Sequence, residues 1–312
     1  MHKKSKHTLA ILLLILFIGL NQNLHLSLKL NNLEWIFRVN NADLIDEYDS
    51  DKMLNSPLIF IGGYPRSGTT LMRAILDVHP SVSCGPETKI IHPLLRIIRN
   101  YKKEPHLGNF SSLGYENKSL DSATSLFIYH ILENHIRNAE RLCAKDPDIL
   151  YYMEYLHQLF PKAKFVYMVR DGRAAAFSLM NRIEVYRSEF IFLKYLNRWN
   201  LYNENYHKQC MRVGEKVCLM VRYEKLVLRP KETVEKVATF LGLSWTEDFL
   251  RHEEFVDKKI SISSTEWSSK QVKSPIYTKS IKNWARYIRL NKTFTQYAPM
   301  LRRFGYITND VD

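Results

Sequence analysis

The residues from Pro57 to Arg73 combine an apolar strand pattern with a turn that could hold an anion. They read PLIFIGGYPRSGTTLMR, which indicates a strand, a glycine-bearing turn and a helix that opens on hydroxyl residues. Backbone N–H groups and a helix N-terminus then surround one point and favour a negative charge. Gly63 to Thr70 fits the phosphate-loop pattern G-x-x-x-x-G-K-[ST] except that Thr69 replaces the lysine. The loop carries Arg66 but lacks the lysine that a nucleoside triphosphatase needs. It therefore indicates phosphate binding, but not nucleoside triphosphatase activity.

The overall charge of the chain indicates a negatively charged partner. The 312 residues carry a formal net charge of +13, with 45 lysines and arginines against 32 aspartates and glutamates. Such an excess favours nucleic acid, acidic lipid, a phosphorylated cofactor or an acidic protein segment. The sequence has neither zinc-ligand spacing nor the aromatic run of an RNA-recognition motif. We therefore expect no metal and no nucleic acid.

The N-terminal residues predict a membrane anchor. Lys3, Lys4 and Lys6 precede an apolar run, Leu9–Leu20, which could extend to Leu28. The run is short for a spanning helix and suits a signal peptide, but no small-residue cleavage site follows it. A cleaved signal stays open as an alternative, and we favour an uncleaved signal-anchor. The basic residues before the run predict a cytoplasmic N-terminus and a luminal body.

These features divide the chain into four parts. We predict a cytoplasmic tail over residues 1–8, a signal-anchor transmembrane segment over 9–28, a luminal stem over 29–55 and a globular domain over 56–312. Glycosylation sequons, which fit a luminal body, begin at Asn109, Asn117 and Asn291.

The cysteine count also fits an oxidising compartment. Four cysteines permit two disulfides in three connectivities. Cys210 and Cys218 close a short loop that contains Gly214 and form the easiest local pair, which leaves Cys84 with Cys143.

Strand and helix patterns alternate after Pro57, which predicts a parallel sheet covered by helices. The buried-strand patterns after the first are Ala163–Val169 and Val217–Val221. The predicted helices are Asp121–Arg137, Gly172–Asn181, Phe190–Arg212 and Pro230–Phe240.

Three segments with chemically active side chains follow predicted strands. They are the Arg66 loop, Arg170–Arg173 and Arg222–Glu224. Ligands of open parallel sheets bind beyond the carboxyl ends of the strands, so we expect these segments to share one edge.

Together these segments resemble the sulfotransferases, and closely the tyrosylprotein sulfotransferases of the Golgi. The resemblance extends from about Pro57 to about Tyr306. It rests on five ordered motifs: IFIGGYPRSGTTLMRAILDVHP, KDP, LFPKAKFVYMVRDGRAA, YEKLVLRP and APMLRRFGY. It implies a P-loop-like α/β fold, with residues 56–312 as the catalytic domain. It also implies transfer of a sulfuryl group from 3′-phosphoadenosine 5′-phosphosulfate (PAPS) to protein tyrosine.

The resemblance also implies which residues bind PAPS. The family's site for the 5′-phosphosulfate matches the loop residues Arg66, Ser67, Gly68, Thr69 and Thr70. Its site for the 3′-phosphate matches Arg170, Ser178 and Arg182, and its aromatic contact with the adenine matches Tyr223.

Sulfuryl transfer to tyrosine needs a base, because the hydroxyl group (pKa about 10) is largely protonated at neutral pH. Glu87 matches the catalytic glutamate of the resembled family. Lys145, Arg66 and Ser268 match groups that stabilise charge on the bridging oxygen as the sulfur–oxygen bond breaks.

The acceptor side departs from the family pattern. Lys89 and Pro93 stand where the family has arginines that bind the peptide, and Pro86 replaces an acidic residue. Asn283 stands where a cofactor-binding lysine is usual, although Lys279 and Lys282 lie nearby in the sequence. These changes leave the reaction class intact and affect peptide preference and cofactor affinity.

The resemblance implies a Golgi enzyme of type II topology, with acidic tyrosine-containing proteins as substrates and a homodimeric state. Two alternatives stay open: a PAPS-dependent carbohydrate sulfotransferase, and an inactive anchored binding protein of the same fold. The choice of acceptor distinguishes the first alternative from a tyrosine sulfotransferase, and the absence of turnover would identify the second.

Overall fold

The computed structural model describes residues 50–103, 106–114, 116–135, 139–184, 186, 188–263, 266, 268–286 and 294–307. The predicted tail and anchor lie outside this range, as do most of the stem and the sequon at Asn291. No helix within it is long and apolar enough to cross a membrane.

A five-stranded parallel sheet forms the centre of the domain. Its strands are β1 (Ile59–Gly62), β2 (Val82–Cys84), β3 (Arg141–Lys145), β4 (Lys164–Val169) and β5 (Cys218–Arg222). They lie in the order β2-β3-β1-β4-β5, so the chain first builds one side of β1 and then crosses to the other. Such a reversal leaves a crevice at the carboxyl ends of the strands beside the central strand.

Helices connect the strands and cover the sheet. They are α1 (Ser50–Asn55), α2 (Thr69–Asp77), α3 (Ile91–Tyr101), α4 (His106–Ser112), α5 (Asn117–His135), α6 (Met153–Leu159), α7 (Gly172–Ile183), α8 (Glu189–Val213), α9 (Tyr223–Leu228), α10 (Pro230–Leu241), α11 (Ser269–Val272), α12 (Phe294–Tyr297) and α13 (Met300–Arg303). Short 3-10 helices span Pro147–Tyr152, Glu247–Phe255 and Asn283–Arg286.

The two faces of the sheet carry different side chains, because successive residues of a strand point to opposite faces. Ile61 and Val166 belong to an aliphatic core that also contains Met72 of α2. On the opposite face, the rings of Phe60 and Phe165 stack with centroids 5.3 Å apart. Both faces are therefore buried, which explains why the strands read as continuous apolar runs.

The predicted fold is confirmed. The patterns at residues 163–169 and 217–221 are β4 and β5, and each predicted helix has an observed counterpart. Helix α10 starts at Pro230 and ends at Leu241, and the next residue, Gly242, has a φ of 68° in the left-handed region. Helix α5 begins at Asn117, earlier than predicted. Helix α1 falls within the predicted stem, and its Met53 is buried.

Both predicted disulfides are present. Cys84 and Cys143 are opposed residues of the neighbouring strands β2 and β3, and their bond is buried beneath the carboxyl edge of the sheet. Cys210 and Cys218 join the end of α8 to the first residue of β5. Among the sequons, Asn117 is exposed at the first residue of α5, and Asn109 lies within α4.

Candidate active site

Each strand delivers a candidate residue to the same edge of the sheet. Arg66 follows β1, Glu87 follows β2, Lys145 ends β3, Arg170 follows β4 and Tyr223 follows β5. A cleft of about 950 Å³ opens there. The predicted residues that line it are Arg66, Gly68, Thr69, Thr70, Glu87, Lys89, Arg170, Ser178, Arg182, Tyr223 and Ser268.

The loop after β1 turns sharply into α2. Gly68, directly before the helix, has a φ of 95°, and a Cβ atom there would lie 2.6 Å from Cδ2 of Tyr223. Glycine is therefore needed both for the backbone conformation and for the close approach of the ring. Thr69 and Thr70 begin α2 and line the cleft, so the free N–H groups of the helix N-terminus lie at the cleft. This geometry suits an anion.

Arg66 is held across the cleft by three polar side chains. Its guanidinium donates from Nε to Ser178 Oγ (3.0 Å), from Nη1 to Ser268 Oγ (2.6 Å) and from Nη2 to Gln271 Oε1 (3.0 Å). The backbone of Arg66 has a φ of 74°, which non-glycine residues seldom adopt. The hydrogen bonds join the loop to α7 and to the segment around α11.

Arg170 forms the second basic group of the cleft. It donates to the backbone carbonyls of Arg66 (2.8 Å) and Ser280 (2.7 Å), and its guanidinium carbon lies 4.6 Å from the ring centroid of Tyr223. Its buried Nε has no hydrogen-bond partner within the described part of the chain. The same holds for the buried hydroxyl of Ser67. Buried donors without partners are rare in folded proteins and indicate room for a ligand.

The arginines that line the cleft repel one another. Burial lowers the pKa of Arg66 from its ordinary value, and the charges of Arg170 and Arg182 lower it further. Several cations close together are unfavourable unless an anion lies between them. This part of the cleft is therefore electrostatically prepared for a compound with more than one anionic group.

Glu87 and Lys145 form an ion pair on the other side of the cleft. Oε1 of Glu87 lies 2.5 Å from Nζ of Lys145, whose side chain is fully buried. Lys145 also lies 3.4 Å from Oγ1 of Thr70. Cys84 precedes Glu87 by three residues and Cys143 precedes Lys145 by two, so their disulfide ties together the segments that carry the pair. A carboxylate and an ammonium group beside an anion site can serve as a base and a charge-stabilising donor.

Comparison with known proteins decides the family. A model described as the sulfotransferase family matches residues 57–247. Protein-tyrosine sulfotransferase A of Caenorhabditis elegans is 40% identical over 259 residues, 81% of this chain and 68% of the relative. Protein-tyrosine sulfotransferase 1 of Homo sapiens is 41% identical over 261 residues, 80% of this chain and 70% of the relative. The chain belongs to the protein-tyrosine sulfotransferases.

Solved structures agree with this fold. The sulfotransferase domain of the Synechococcus PCC 7002 olefin synthase superposes with a TM-score of 0.56 at 21% identity, covering 80% of this chain and 95% of that one. The sulfotransferase domain of the curacin biosynthetic pathway gives a TM-score of 0.52 at 18% identity, with 78% and 96% covered. The family, the fold and the transferase class predicted from the sequence are confirmed.

Several cleft residues of this protein-tyrosine sulfotransferase were not predicted from the sequence. Asp146, Asp148 and His92 line the part of the cleft near Glu87. Burial raises the pKa of both aspartates above the ordinary value. The KDP motif contains Asp146, whereas His92 belongs to none of the five motifs.

Residues 271–284 contribute to the arginine-lined part of the cleft. Tyr277, Lys279, Asn283 and Trp284 line it, and Ser280 Oγ lies 2.7 Å from the hydroxyl of Tyr223. Of the two lysines near Asn283 in the sequence, Lys279 is the one among the described lining residues. No periodic pattern marks this segment, and only the family resemblance pointed to it.

Pro93 is not among the described lining residues, whereas His92 is. Both belong to the first turn of α3, where successive side chains point about 100° apart around the helix axis. Lys89 lines the cleft and is exposed. The role predicted for Pro93 stays a prediction, and the geometry gives His92 the direct access.

Tyr306, the last residue of the motif APMLRRFGY, lies outside the cleft and supports the carboxyl edge of the sheet. The Tyr306 hydroxyl donates to Oε2 of Glu224 (2.9 Å), whose Oε1 accepts from the backbone N–H of Asp171 (2.9 Å). Asp171 in turn caps α7 by accepting from the N–H of Arg173. This chain of hydrogen bonds ties the residue after Arg170 to the residue after Tyr223.

Proposed function

We propose that this chain transfers a sulfuryl group from PAPS to tyrosine hydroxyls in acidic segments of secretory and membrane proteins. The products are tyrosine O-sulfate and adenosine 3′,5′-bisphosphate. Membership of the protein-tyrosine sulfotransferases supports the reaction class. The observation that carries the mechanism is the pair of Glu87 and Lys145, 2.5 Å apart, beside a cleft lined by arginines.

The nucleotide side fits PAPS, which carries anionic groups at its 5′ and 3′ positions. The loop of Arg66 to Thr70 would hold the 5′-phosphosulfate with N–H groups and hydroxyls. Arg170, Ser178 and Arg182 would hold the 3′-phosphate. The donors of Ser67 and Arg170 that lack partners among the described residues support this fit. The ring of Tyr223 would contact the adenine side.

The acceptor is activated by removal of its proton. Glu87 accepts the proton of the tyrosine hydroxyl while the phenolic oxygen attacks sulfur, and the bond between sulfur and the phosphate oxygen breaks on the opposite side. Lys145, Arg66 and Ser268 donate to the bridging oxygen as negative charge develops on it. The sulfuryl group ends on the phenolic oxygen, the proton on Glu87 and the electron pair of the broken bond on the phosphate.

Acidic acceptors fit the charge of the protein. The net charge of +13 attracts acidic segments and speeds their encounter with the cleft. Lys89 and His92 lie at its acceptor side and offer direct contacts. Because Lys89 replaces an arginine of the family pattern, it supplies charge without bidentate geometry.

The proposed location is the Golgi membrane, with a short cytoplasmic tail, one anchor and a luminal catalytic domain. The basic residues before the apolar run of residues 9–20 support this orientation. The two disulfides support an oxidising lumen. A homodimer is part of the proposal and rests on the family resemblance alone.

The deciding experiment uses the full-length chain in detergent with its disulfides formed. The chain is incubated with 35S-labelled PAPS and an acidic tyrosine peptide, with the tyrosine-to-phenylalanine peptide as the control. Label on the tyrosine peptide alone supports the proposal. Label on a panel of glycans instead would establish a carbohydrate sulfotransferase. Binding of adenosine 3′,5′-bisphosphate without transfer to any acceptor would identify an inactive binding protein.

A further inference from the structure

Glu266 is a buried carboxylate that contacts both members of the Glu87–Lys145 pair. Its Oε1 accepts the backbone N–H of Glu87 at 3.0 Å. Its Oε2 lies 3.5 Å from Nζ of Lys145, and its side chain is 1% exposed. Glu266 lies far from both partners in the sequence, so the contact arises only in the folded chain.

A second buried cation faces the same carboxylate. Nη2 of Arg73 lies 3.8 Å from Oε2 of Glu266, and the Arg73 side chain is fully buried. Arg73 also donates to the backbone carbonyls of Cys84 and Ser261 and lies 4.0 Å from Asp77. Glu266 therefore stands between a structural cation on α2 and the cation of the proposed active site.

We propose that Glu266 is a positioning residue that remains the negative partner of Lys145 while Glu87 changes charge. This inference rests on the proposed function. When Glu87 accepts the tyrosine proton it becomes neutral, and Lys145 loses the partner that lies 2.5 Å away. One oxygen of Glu266 accepts the N–H of Glu87, and the other lies 3.5 Å from Lys145 and 3.8 Å from Arg73, so the carboxylate stays beside Lys145 when Glu87 is neutral.

The need for a second carboxylate follows from burial. An ammonium group with no solvent exposure is unstable without a negative partner and tends to release its proton. With Glu266 in place, Lys145 keeps a carboxylate 3.5 Å from its Nζ after the base has been neutralised, at the moment when its charge is needed.

The segment that carries Glu266 also contacts Arg66. Ser268, two residues after Glu266, accepts from Nη1 of Arg66 at 2.6 Å. One anchored segment thus presents a carboxylate to Lys145 and a hydroxyl to Arg66. The charged groups in contact with Lys145 and Glu266, which are Glu87 and Arg73, stay unchanged in the Glu266 variants below. The same holds for Asp146 and Asp148, which interact electrostatically with Glu87 and His92.

The test compares two buried carboxylates of one network. Glu266→Gln removes the charge beside Lys145 and leaves an oxygen able to accept from the N–H of Glu87. Asp77→Asn is the matched control, because Asp77 is equally buried, contacts Arg73 and accepts the N–H of Cys84 at 2.8 Å. Glu266→Asp keeps the charge on a shorter side chain.

For each full-length variant, kcat, KM for PAPS, the Kd of adenosine 3′,5′-bisphosphate and Tm are measured. We expect Glu266→Gln to lower kcat about a hundredfold. Its Kd should stay near that of wild type, since Glu266 lies outside the anion site. Glu266→Asp should recover part of kcat, and Asp77→Asn should lower Tm alone.

Other outcomes overturn the inference. If Glu266→Gln and Asp77→Asn lower Tm equally and leave kcat unchanged, Glu266 has only a structural role. If Glu266→Gln fails to fold and Glu266→Asp folds with the kcat of Asp77→Asn, the position is likewise structural. Absence of transfer by the wild-type chain would instead overturn the proposed function, and with it the role assigned to Glu266.

Discussion

The two sides of the cleft are built differently. On the nucleotide side, Arg66 donates three side-chain hydrogen bonds and Arg170 donates to two backbone carbonyls while lying over Tyr223. On the acceptor side, Lys89 is exposed, and His92 is only partly buried. The first side is fixed before any ligand binds. The second presents side chains at the edge of the cleft.

This difference matches what each side would recognise in the proposed reaction. A compact nucleotide with two anionic ends needs donors at fixed positions, and fixing them in advance lowers the entropy cost of binding. An extended acidic segment needs mainly positive potential, which flexible side chains supply. In the proposed reaction, the phenolic oxygen and the sulfur meet at Glu87 and Lys145. Substitutions of this pair should therefore have the largest effects, those on the nucleotide side smaller ones and those at the acceptor edge the smallest.

The largest effect is expected for Glu87→Gln. Loss of a general base lowers kcat by about a thousandfold, while the Kd of adenosine 3′,5′-bisphosphate stays near wild type because Glu87 lies outside the anion site. Steady-state kinetics and calorimetry measure the two quantities. Asp148→Asn, another carboxyl group of the same cleft, is the control and should retain kcat within about tenfold. Equal kcat in Glu87→Gln and wild type would exclude Glu87 as the base.

Arg170→Ala should weaken nucleotide binding by roughly ten- to a hundredfold, as expected for loss of a charge-assisted hydrogen bond. The measurement is the Kd of adenosine 3′,5′-bisphosphate, with Tm recorded because Arg170 also fixes the Arg66 loop. Arg212→Ala removes an exposed arginine that pairs with Glu154 and should leave the Kd unchanged. A wild-type Kd in Arg170→Ala would contradict the assignment of this side to the nucleotide.

The disulfides provide a third comparison. Replacing Cys84 and Cys143 by serine opens a 59-residue loop, and replacing Cys210 and Cys218 opens an 8-residue loop. The loop-entropy model gives losses of about 4 and about 2.5 kcal/mol in the free energy of unfolding.

At a temperature where both double variants are folded, only the first should lose kcat, by about tenfold, because its bond aligns Glu87 with Lys145. Denaturant unfolding and kcat are measured for both. Equal kcat in the two variants would show that the sheet alone positions the pair.

The smallest effect is expected for Lys89→Ala. Removal of an exposed charge should raise KM for an acidic tyrosine peptide about threefold at low salt, with little effect at high salt. Lys162→Ala is the control, since Lys162 is also exposed but precedes β4, at the opposite edge of the sheet. Identical peptide KM values in both variants would remove Lys89 from acceptor binding.

Much of the site was predictable from consecutive residues. The anion loop is one strand–turn–helix segment, and Arg170 and Tyr223 directly follow apolar strand patterns. Parallel strands bring their carboxyl ends to one edge, so these residues had to meet. The pairing of Cys84 with Cys143 likewise followed from the cysteine count and the short loop of the other pair.

Other features needed the folded chain. His92 and Pro93 are adjacent in sequence, and only the orientation of α3 gives His92 access to the cleft. Lys279 and Lys282 are equally basic, and the path of the segment brings Lys279 to the lining. Residue type predicts neither which member of the first pair lines the cleft nor which member of the second pair does.

The sequence by itself determined the strands β1, β4 and β5, the anion loop and the edge that carries the candidate site, because strand, turn and helix patterns are local and parallel pairing brings their ends together. The tertiary structure alone decided that Glu266 is buried between Arg73 and Lys145. A carboxylate in an irregular segment looks like any surface residue in the sequence. Its burial depends on two cations more than a hundred residues away, which only packing brings to the same place.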